Sequence, residues 1–276
     1  MRVIAHRGAS SIAPENTLAA IRLAIAGGAD RIEVDVQRSR DGELFLMHDT
    51  TLARTTDVRA RFPRRRRPWL LADFTSEEIR RLDAGSWLSP EYAGEPVPTL
   101  AEAVAVVRAG GVGLQLELKA PALYPGLATD VARLVDDVPG WPGTPASSDR
   151  LLVQSFSLEA VKELADAAPS IPVGLLGTPA RADLGRLGTW VDEVNPGHHL
   201  VDAGYVDAVH RAGMDCVVWT VNRAAAMRRA VRCGVDGVIT DRPELLRTVL
   251  QSSSRRDRSG DRAHEPVVPR LARPVA

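Results

Sequence analysis

Residues 31–37 read Arg31-Ile32-Glu33-Val34-Asp35-Val36-Gln37, and residues 113–119 read Gly113-Leu114-Gln115-Leu116-Glu117-Leu118-Lys119. Both alternate strictly. As strands they put Glu33 and Asp35, or Gln115, Glu117 and Lys119, on one face and an aliphatic row on the other. A half-exposed antiparallel strand with a wet polar face has the same pattern. Helical periodicity follows both segments, however, and a parallel strand covered by a helix turns its apolar row outward to that helix. The carboxylates are then sent into the mouth of a barrel.

The same rhythm continues on both sides. Apolar runs at Arg2 to Ala5, Leu151 to Ser155, Pro172 to Leu176, Asp192 to Asn195, Cys216 to Val221 and Gly237 to Thr240 join Arg31 to Val36 and Gly113 to Leu118 as eight candidate strands. Helix-like segments lie at Asn16 to Ala26, Leu100 to Arg108, Leu127 to Asp137, Leu158 to Ala167, Ala203 to Ala212, Ala224 to Arg232 and Glu244 to Gln251. Gly27-Gly28, Gly110-Gly111, Gly213 and Gly234 supply stop signals, and Thr99 with Glu102 reads as a capping box. A doubly wound sheet would carry a glycine-rich phosphate loop after its first strand, where this chain has His6-Arg7-Gly8.

The expected fold is therefore α/β, a (β/α)8 TIM barrel forming a single domain over residues 1–251. An insertion between the second and third barrel strands, about residues 39–98, opens with an extra strand, Glu43 to Met47, and is too long for a structureless loop. Inside it, Arg59 to Arg67 holds six arginines beside Phe62 and Pro63, and reads as a solvated loop or as a contact for an anionic partner. Residues 252–276, rich in Ser, Arg, Asp and Pro and without periodicity, read as a disordered tail.

Thirty-five basic and 35 acidic residues cancel, so no global field directs the chain to nucleic acid or to an anionic membrane. Only Lys119 and Lys162 are lysines, so each stands out. Cys216 and Cys233 lack metal-ligand spacing and read as inert thiols. The opening MRVIAHRGAS has no apolar signal core, and no run approaches a membrane span. A cytoplasmic location without stable membrane insertion is the expectation, and the oligomeric state stays open.

Acidic side chains gathered at a barrel mouth repel one another and lose hydration unless a cation or a proton compensates. Glu33, Asp35 and Glu117 are an all-oxygen donor set that suits Mg²⁺ or Ca²⁺ better than Zn²⁺, with Mn²⁺ also acceptable. His6 ends the first strand and is followed by Arg7, while His48 ends the run Leu44 to Met47. Barrel enzymes place reacting groups at such strand ends. Phosphodiester cleavage needs a base for the attacking oxygen, an acid for the leaving oxygen, and positive charge at the phosphoryl group.

The stretch AHRGASSIAPENTLAAIRLAIAGGADRIEVDVQRSRDGELFLMHD, residues 5–49, resembles the signature of the glycerophosphodiester phosphodiesterases. Arg54-Thr55-Thr56, LDAGSW at Leu82 to Trp87, Val97-Pro98-Thr99-Leu100, LELK at Leu116 to Lys119, QSF at Gln154 to Phe156, VVWTVN at Val217 to Asn222 and GVDGVITDRP at Gly234 to Pro243 extend the likeness over about residues 3–250. The resemblance implies metal-dependent hydrolysis of glycerophosphodiesters, a small-molecule substrate class, to glycerol 3-phosphate and an alcohol. It implies His6 and His48 as the acid/base pair and Glu33, Asp35 and Glu117 as ligands of a divalent metal ion. Arg7 and Lys119 fall near the phosphate, and Trp219 and Phe156 at the pocket wall. It leaves open whether a glycerol hydroxyl attacks, through a cyclic phosphate, or water attacks directly.

Within APENT, Glu15 and Asn16 read as residues that hold the first loop and start the helix. After Arg-Thr-Thr the family usually has a short glycine-containing turn, whereas this chain has Asp57 to Leu71 with its arginines. His198 and His199 fall near the end of the sixth barrel strand, at the periphery of the expected pocket. Two alternatives remain: a related barrel phosphodiesterase acting on lysophospholipid or phosphoinositide head groups, and a catalytically silent binding barrel. A lipid substrate calls for an exposed apolar rim or a membrane-seeking segment, and neither is evident in the sequence.

Overall fold

The computed structural model of the chain describes residues 1–136 and 151–260, with side chains as far as Ser252. Its strands are β1 (Arg2–His6), β2 (Arg31–Arg38), β3 (Leu44–Leu46), β4 (Gly113–Leu118), β5 (Leu151–Ser155), β6 (Val173–Leu176), β7 (Glu193–Asn195), β8 (Asp215–Val218) and β9 (Gly237–Thr240). All except β3 are parallel, in the order β1-β9-β8-β7-β6-β5-β4-β2, and pairing of β1 with β2 closes the ring. The result is an eight-stranded parallel barrel with one antiparallel addition.

Helices sheathe it. Leu100–Gly110, opened by the Thr99–Glu102 capping box, buries Leu100, Ala103, Val104 and Val107. They pack in one core with Ile32, Val34, Val36, Leu114, Leu116 and Leu118, so the aliphatic rows of β2 and β4 do face outward to helices. Each such side chain contributes about 1.5–3 kcal/mol on full burial.

β2 outruns β1. Their pairing ends with His6 opposite Glu33, whereas β2 continues to Arg38. β3 takes up the edge beyond, setting Leu46 opposite Val36 and Leu44 opposite Arg38, and Met47 N donates to Asp35 O at 2.9 Å. The chain from β3 to Pro98 includes the short helices Val58–Arg61 and Ser76–Arg80. It has its own core, in which Phe45, Leu52, Val58, Leu71, Phe74 and Ile79 are fully buried.

Several element ends shift by one to three residues from those read in the sequence, and three helices differ in informative ways. The first helix is Leu18–Ala26, capped by Thr17, whose hydroxyl accepts from Ala20 N. Asn16 cannot start it, because its backbone is left-handed (φ 57) and its amide is engaged elsewhere. A helix at Arg181–Leu187 escaped notice because it is short, has no side-chain cap and contains Gly185. The last helix runs Pro243–Gly260 rather than stopping at Gln251, since no glycine or proline interrupts the chain between Pro243 and Gly260. Residues 261–276 of the expected tail, and Asp137 of the expected Leu127 to Asp137 helix, lie outside the described residues.

The barrel interior is divided. Ile4, Val217 and Ile239 fill one side with apolar volume. On the other, buried Glu193 accepts from Arg31 Nη1 (3.2 Å), Gln115 Nε2 (3.1 Å) and Asn195 Nδ2 (2.7 Å), and lies 3.3 Å from Arg2 Nη2. Glu193 thus serves Arg31 directly and shares Arg2 with Asp215, whose Oδ2 accepts from Arg2 Nη2 at 2.5 Å. Glu193→Ala should lower stability by about 3–5 kcal/mol in urea unfolding, the usual effect of removing one partner from a buried ion pair. A loss within the ±0.5 kcal/mol of an ordinary surface substitution would contradict that pairing.

Candidate active site

The extra length of β2 builds the site. Glu33 and Asp35 on β2 and Glu117 on β4 bring carboxylate oxygens within 4.8 Å of one another, and all three side chains are buried. The strand register, Asp35 opposite Glu117, accounts for the approach. Arg7 Nε lies 3.1 Å from Asp35 Oδ2, and Arg7 N donates to Glu33 Oε2 at 3.1 Å. Lys119 Nζ donates to Glu117 Oε1 at 2.7 Å and lies 3.4 Å from Asp35 Oδ1. Asn16 clamps Asp35 from the first loop: Nδ2 donates to Oδ2 at 2.8 Å, and Oδ1 accepts from Asp35 N.

That clamp depends on a tight loop. Arg7 and Asn16 are both left-handed (φ 57), and Gly8 between them has φ 84. A Cβ on Gly8 would meet the carbonyl carbon of Ala20 at 2.6 Å, so only glycine lets the loop lie this close to the first helix.

The three carboxylates do not share the available cations equally. Burial alone would raise Asp35, but Arg7, Lys119 and His48 with the Asn16 amide outweigh it and hold Asp35 at about 2. Burial, then repulsion from Asp35, pushes Glu117 up to about 7 and moves Glu33 well above the usual carboxylate range. Asp35 Oδ1 is buried and accepts no hydrogen bond. An orphaned carboxylate oxygen beside two under-compensated carboxylates is the environment a hard cation fits, so the donor set is suited to a divalent metal.

Above the carboxylates is a cavity of about 200 Å³. His6, Arg7, Glu33, His48, Glu117 and Lys119 form a charged wall; Phe156, Leu176, Trp219 and Ile239 form an apolar one. Phe156 and Trp219 meet edge to face, with centroids 5.6 Å apart. Trp219 Nε1 donates to Asn195 O, which fixes the indole. Asp35 lies below the cavity surface, and His198 and His199 do not line it.

Each histidine is held by a carboxylate. His6 Nδ1 lies 2.6 Å from Asp241 Oδ1, and His48 Nδ1 lies 2.7 Å from Asp49 Oδ1. These bonds assign the proton to Nδ1 and leave Nε2 for proton exchange. Asp241 is fixed in turn by Ser10 Oγ and by Asn222, whose Oδ1 accepts from Asp241 N. Asp241 was overlooked in the sequence, although its place just after β9 in GVITDRP was the available signal.

A second unforeseen feature is a ladder of alternating charge. Arg7 Nη1 donates to Glu15 (2.9 Å), Arg54 grips Glu15 at 2.8 Å through both terminal nitrogens, and its other edge holds Asp49 at 2.8 and 3.0 Å. Asp49 then holds His48. Arg54 keeps Asp49 at about 2, with His48 assisting. Burial lowers the pKa of His48, against the pull of Asp35 and Asp49.

A closed parallel barrel with two histidines, two cations and an acidic cluster gathered at its mouth has the form of a TIM-barrel enzyme. Residues 6–245 match the model of the glycerophosphoryl diester phosphodiesterase family, and the chain belongs to that family. It is 33% identical over 247 residues to a glycerophosphodiester phosphodiesterase of Caldanaerobacter subterraneus, covering 88% of this chain and 95% of that one. A glycerophosphodiester phosphodiesterase of Bacillus subtilis is 32% identical, covering 89% and 85%. The structure of an Oleispira antarctica phosphodiesterase in complex with the product sn-glycerol-3-phosphate superposes with a TM-score of 0.80 at 31% identity, covering 91% and 97%.

Glu33 is a carboxylate with a raised pKa, so its stabilising, protonated form is lost as pH rises through its folded value. At pH 8 in EDTA, Glu33→Gln should therefore raise the melting temperature by about 2–5 °C, a binding group kept at the expense of stability. An unchanged or lower melting temperature would show that the triad is not strained.

Proposed function

We propose that the chain hydrolyses glycerophosphodiesters to glycerol 3-phosphate and an alcohol, with a divalent metal held by Glu33, Asp35 and Glu117 and with His6 and His48 as the acid/base pair. The observation that carries this reading is the convergence of two carboxylate-held histidines and the Glu33–Asp35–Glu117 cluster on one cavity. A bound Mg²⁺, Ca²⁺ or Mn²⁺ would supply positive charge to the phosphoryl oxygens. Arg7 and Lys119, already at the carboxylates, border the same cavity and are placed to hold the diester.

Proton transfer belongs to the histidines. One Nε2 accepts the proton of the attacking hydroxyl, the P–O bond to the alcohol breaks, and the other Nε2 protonates the leaving oxygen. The attacker is either a glycerol hydroxyl, giving a cyclic phosphate that water opens, or water itself. His48, with its lowered pKa, is neutral at pH 7 and suits the base; Asp49 stabilises the imidazolium formed there. Phe156 and Trp219 give the glycerol or alcohol carbons an apolar wall. Against a silent barrel stand the two histidines, Arg7, Lys119, Glu33 and Glu117, which line one cavity with Asp35 beneath it.

Release of glycerol 3-phosphate from glycerophosphocholine, lost in EDTA and restored by Mg²⁺ or Ca²⁺, tests the reading; no turnover on any glycerophosphodiester with metal supplied would overturn it. His6→Ala and His48→Ala should each lower kcat by about 10²–10⁴ with the fold intact by circular dichroism. Asp49→Asn removes a contact that favours charged His48, so the acidic limb of kcat/KM should move to lower pH. Because burial and mutual repulsion raise both Glu117, to about 7, and Glu33, metal binding must expel protons at pH 6. Calorimetric titrations of metal in buffers of different ionisation enthalpy should differ at pH 6, and the difference should shrink as the pH is raised.

A further inference from the structure

Large apolar side chains left exposed are not scattered over this barrel. Among the described residues Met1 and Leu23 are exposed away from the mouth. The others, Ile12, Trp87, Leu88, Leu123, Phe156 and Leu200, are 39–59% exposed. They follow β1, β4, β5 and β7 or lie between β3 and β4, on the C-terminal side of the barrel around the cavity. Exposed apolar groups gathered on one face mark an interaction surface.

Basic charge adjoins this ring. Tyr92 Oη donates to Ile12 O at 3.0 Å, and Trp87 Nε1 donates to Ala84 O, which ties the Trp87 turn to the first loop. Asp83 N and O bond Asp57 Oδ1 and N at 2.9 and 3.1 Å, so the same turn abuts the helix Val58–Arg61. Arg66 is structural: it pairs with Glu78 at 2.7 Å and stacks 3.7 Å from the Phe74 ring. Arg59, Arg64 and Arg65 are exposed and have no acidic partner among the described residues. In a chain of zero net charge, this segment concentrates cations, and its helix Val58–Arg61 adjoins the Trp87 turn of the apolar ring.

We propose that the mouth face docks reversibly on an anionic lipid surface, with the ring entering the head-group layer and Arg59, Arg64 and Arg65 on lipid phosphates. A plane is the occupant that suits the arrangement, because the apolar groups stand on separate loops around the cavity, whereas a single acyl chain needs one continuous groove. Aliphatic and aromatic anchors flanked by arginine are what such an interface binds. The docking does not depend on which alcohol the active site releases.

The test is cosedimentation of the full chain with phosphatidylglycerol vesicles at low salt, with phosphatidylcholine vesicles alongside. Binding should favour phosphatidylglycerol at least tenfold and weaken with salt. A triple variant, Arg59→Ser, Arg64→Ser and Arg65→Ser, should lose about 100-fold in partitioning, roughly fivefold for each arginine. Ile12→Ser, Trp87→Ser and Leu88→Ser together should lose at least tenfold and reduce the quenching of tryptophan fluorescence by brominated chains. Both variants should turn over soluble glycerophosphocholine as the parent does, which also shows that they fold. Absence of binding to phosphatidylglycerol overturns the proposal. So does parental binding by the apolar variant, which would reduce the effect to adsorption by charge, or a parental dimer that this variant dissolves in light scattering, which would assign the face to a second copy. Vesicle binding without any glycerophosphodiester turnover would leave the docking standing and remove the proposed reaction.

Discussion

Three carboxylates sealed at the barrel mouth within 4.8 Å of one another are the constraint around which the structure is arranged. At an effective dielectric constant of about 20, two unit charges at such a spacing repel by about 3–4 kcal/mol. The chain answers with unequal compensation: Asp35 lies beside both Arg7 and Lys119, whereas Glu117 has Lys119 alone and Glu33 the Arg7 amide, and both of these keep a raised pKa. Much of the unusual local geometry serves this arrangement. The left-handed Arg7 and Asn16, the enforced glycine at position 8 and the over-long β2 all bring a partner to a carboxylate that would otherwise destabilise the barrel.

The polar half of the barrel interior extends the same logic downward. Glu193 sits between Arg2 and Arg31 and also receives the Gln115 and Asn195 amides, and Gln115 continues to Gln154. Charge at the mouth therefore rests on a hydrogen-bonded floor, while Ile4, Val217 and Ile239 lie under the aromatic wall. The cavity inherits its two-sided character from the strands beneath it: an acidic and basic wall above β2 and β4, and an apolar one above β5, β8 and β9.

What could be read from the sequence was whatever depended on period and punctuation. The alternation of β2 and β4 disclosed both the barrel and the inward row of Glu33, Asp35 and Glu117, and the capping box at Thr99 marked a helix start correctly. The weakly punctuated helix at Arg181–Leu187 left no such trace. At the site, the residues expected to line a pocket do so, with Asp35 beneath them. Their supports were harder to see because they are remote in sequence: Asp241 reaches His6 across 235 residues, and Arg54 reaches Glu15 across 39. Asn16 is a residue type that suits a helix start, but its backbone turns the amide to Asp35 instead. The apolar ring was invisible for the same reason, being assembled from single residues on separate loops.

The segment between β3 and β4 is built in two parts with different duties. Up to Thr56 it holds β3, His48, Asp49 and Arg54, all tied to the barrel by strand pairing or by the charge ladder. Beyond Asp57 it packs Val58, Leu71, Phe74 and Ile79 against Phe45, Met47 and Leu52 of the first part. Arg54 is the joint between them. The two parts are not independent: Leu52 N donates to Trp69 O and Leu71 N to Thr50 O, and Met47, beside His48, is buried in the same core, so the later part also buttresses the strand end that carries a reacting histidine.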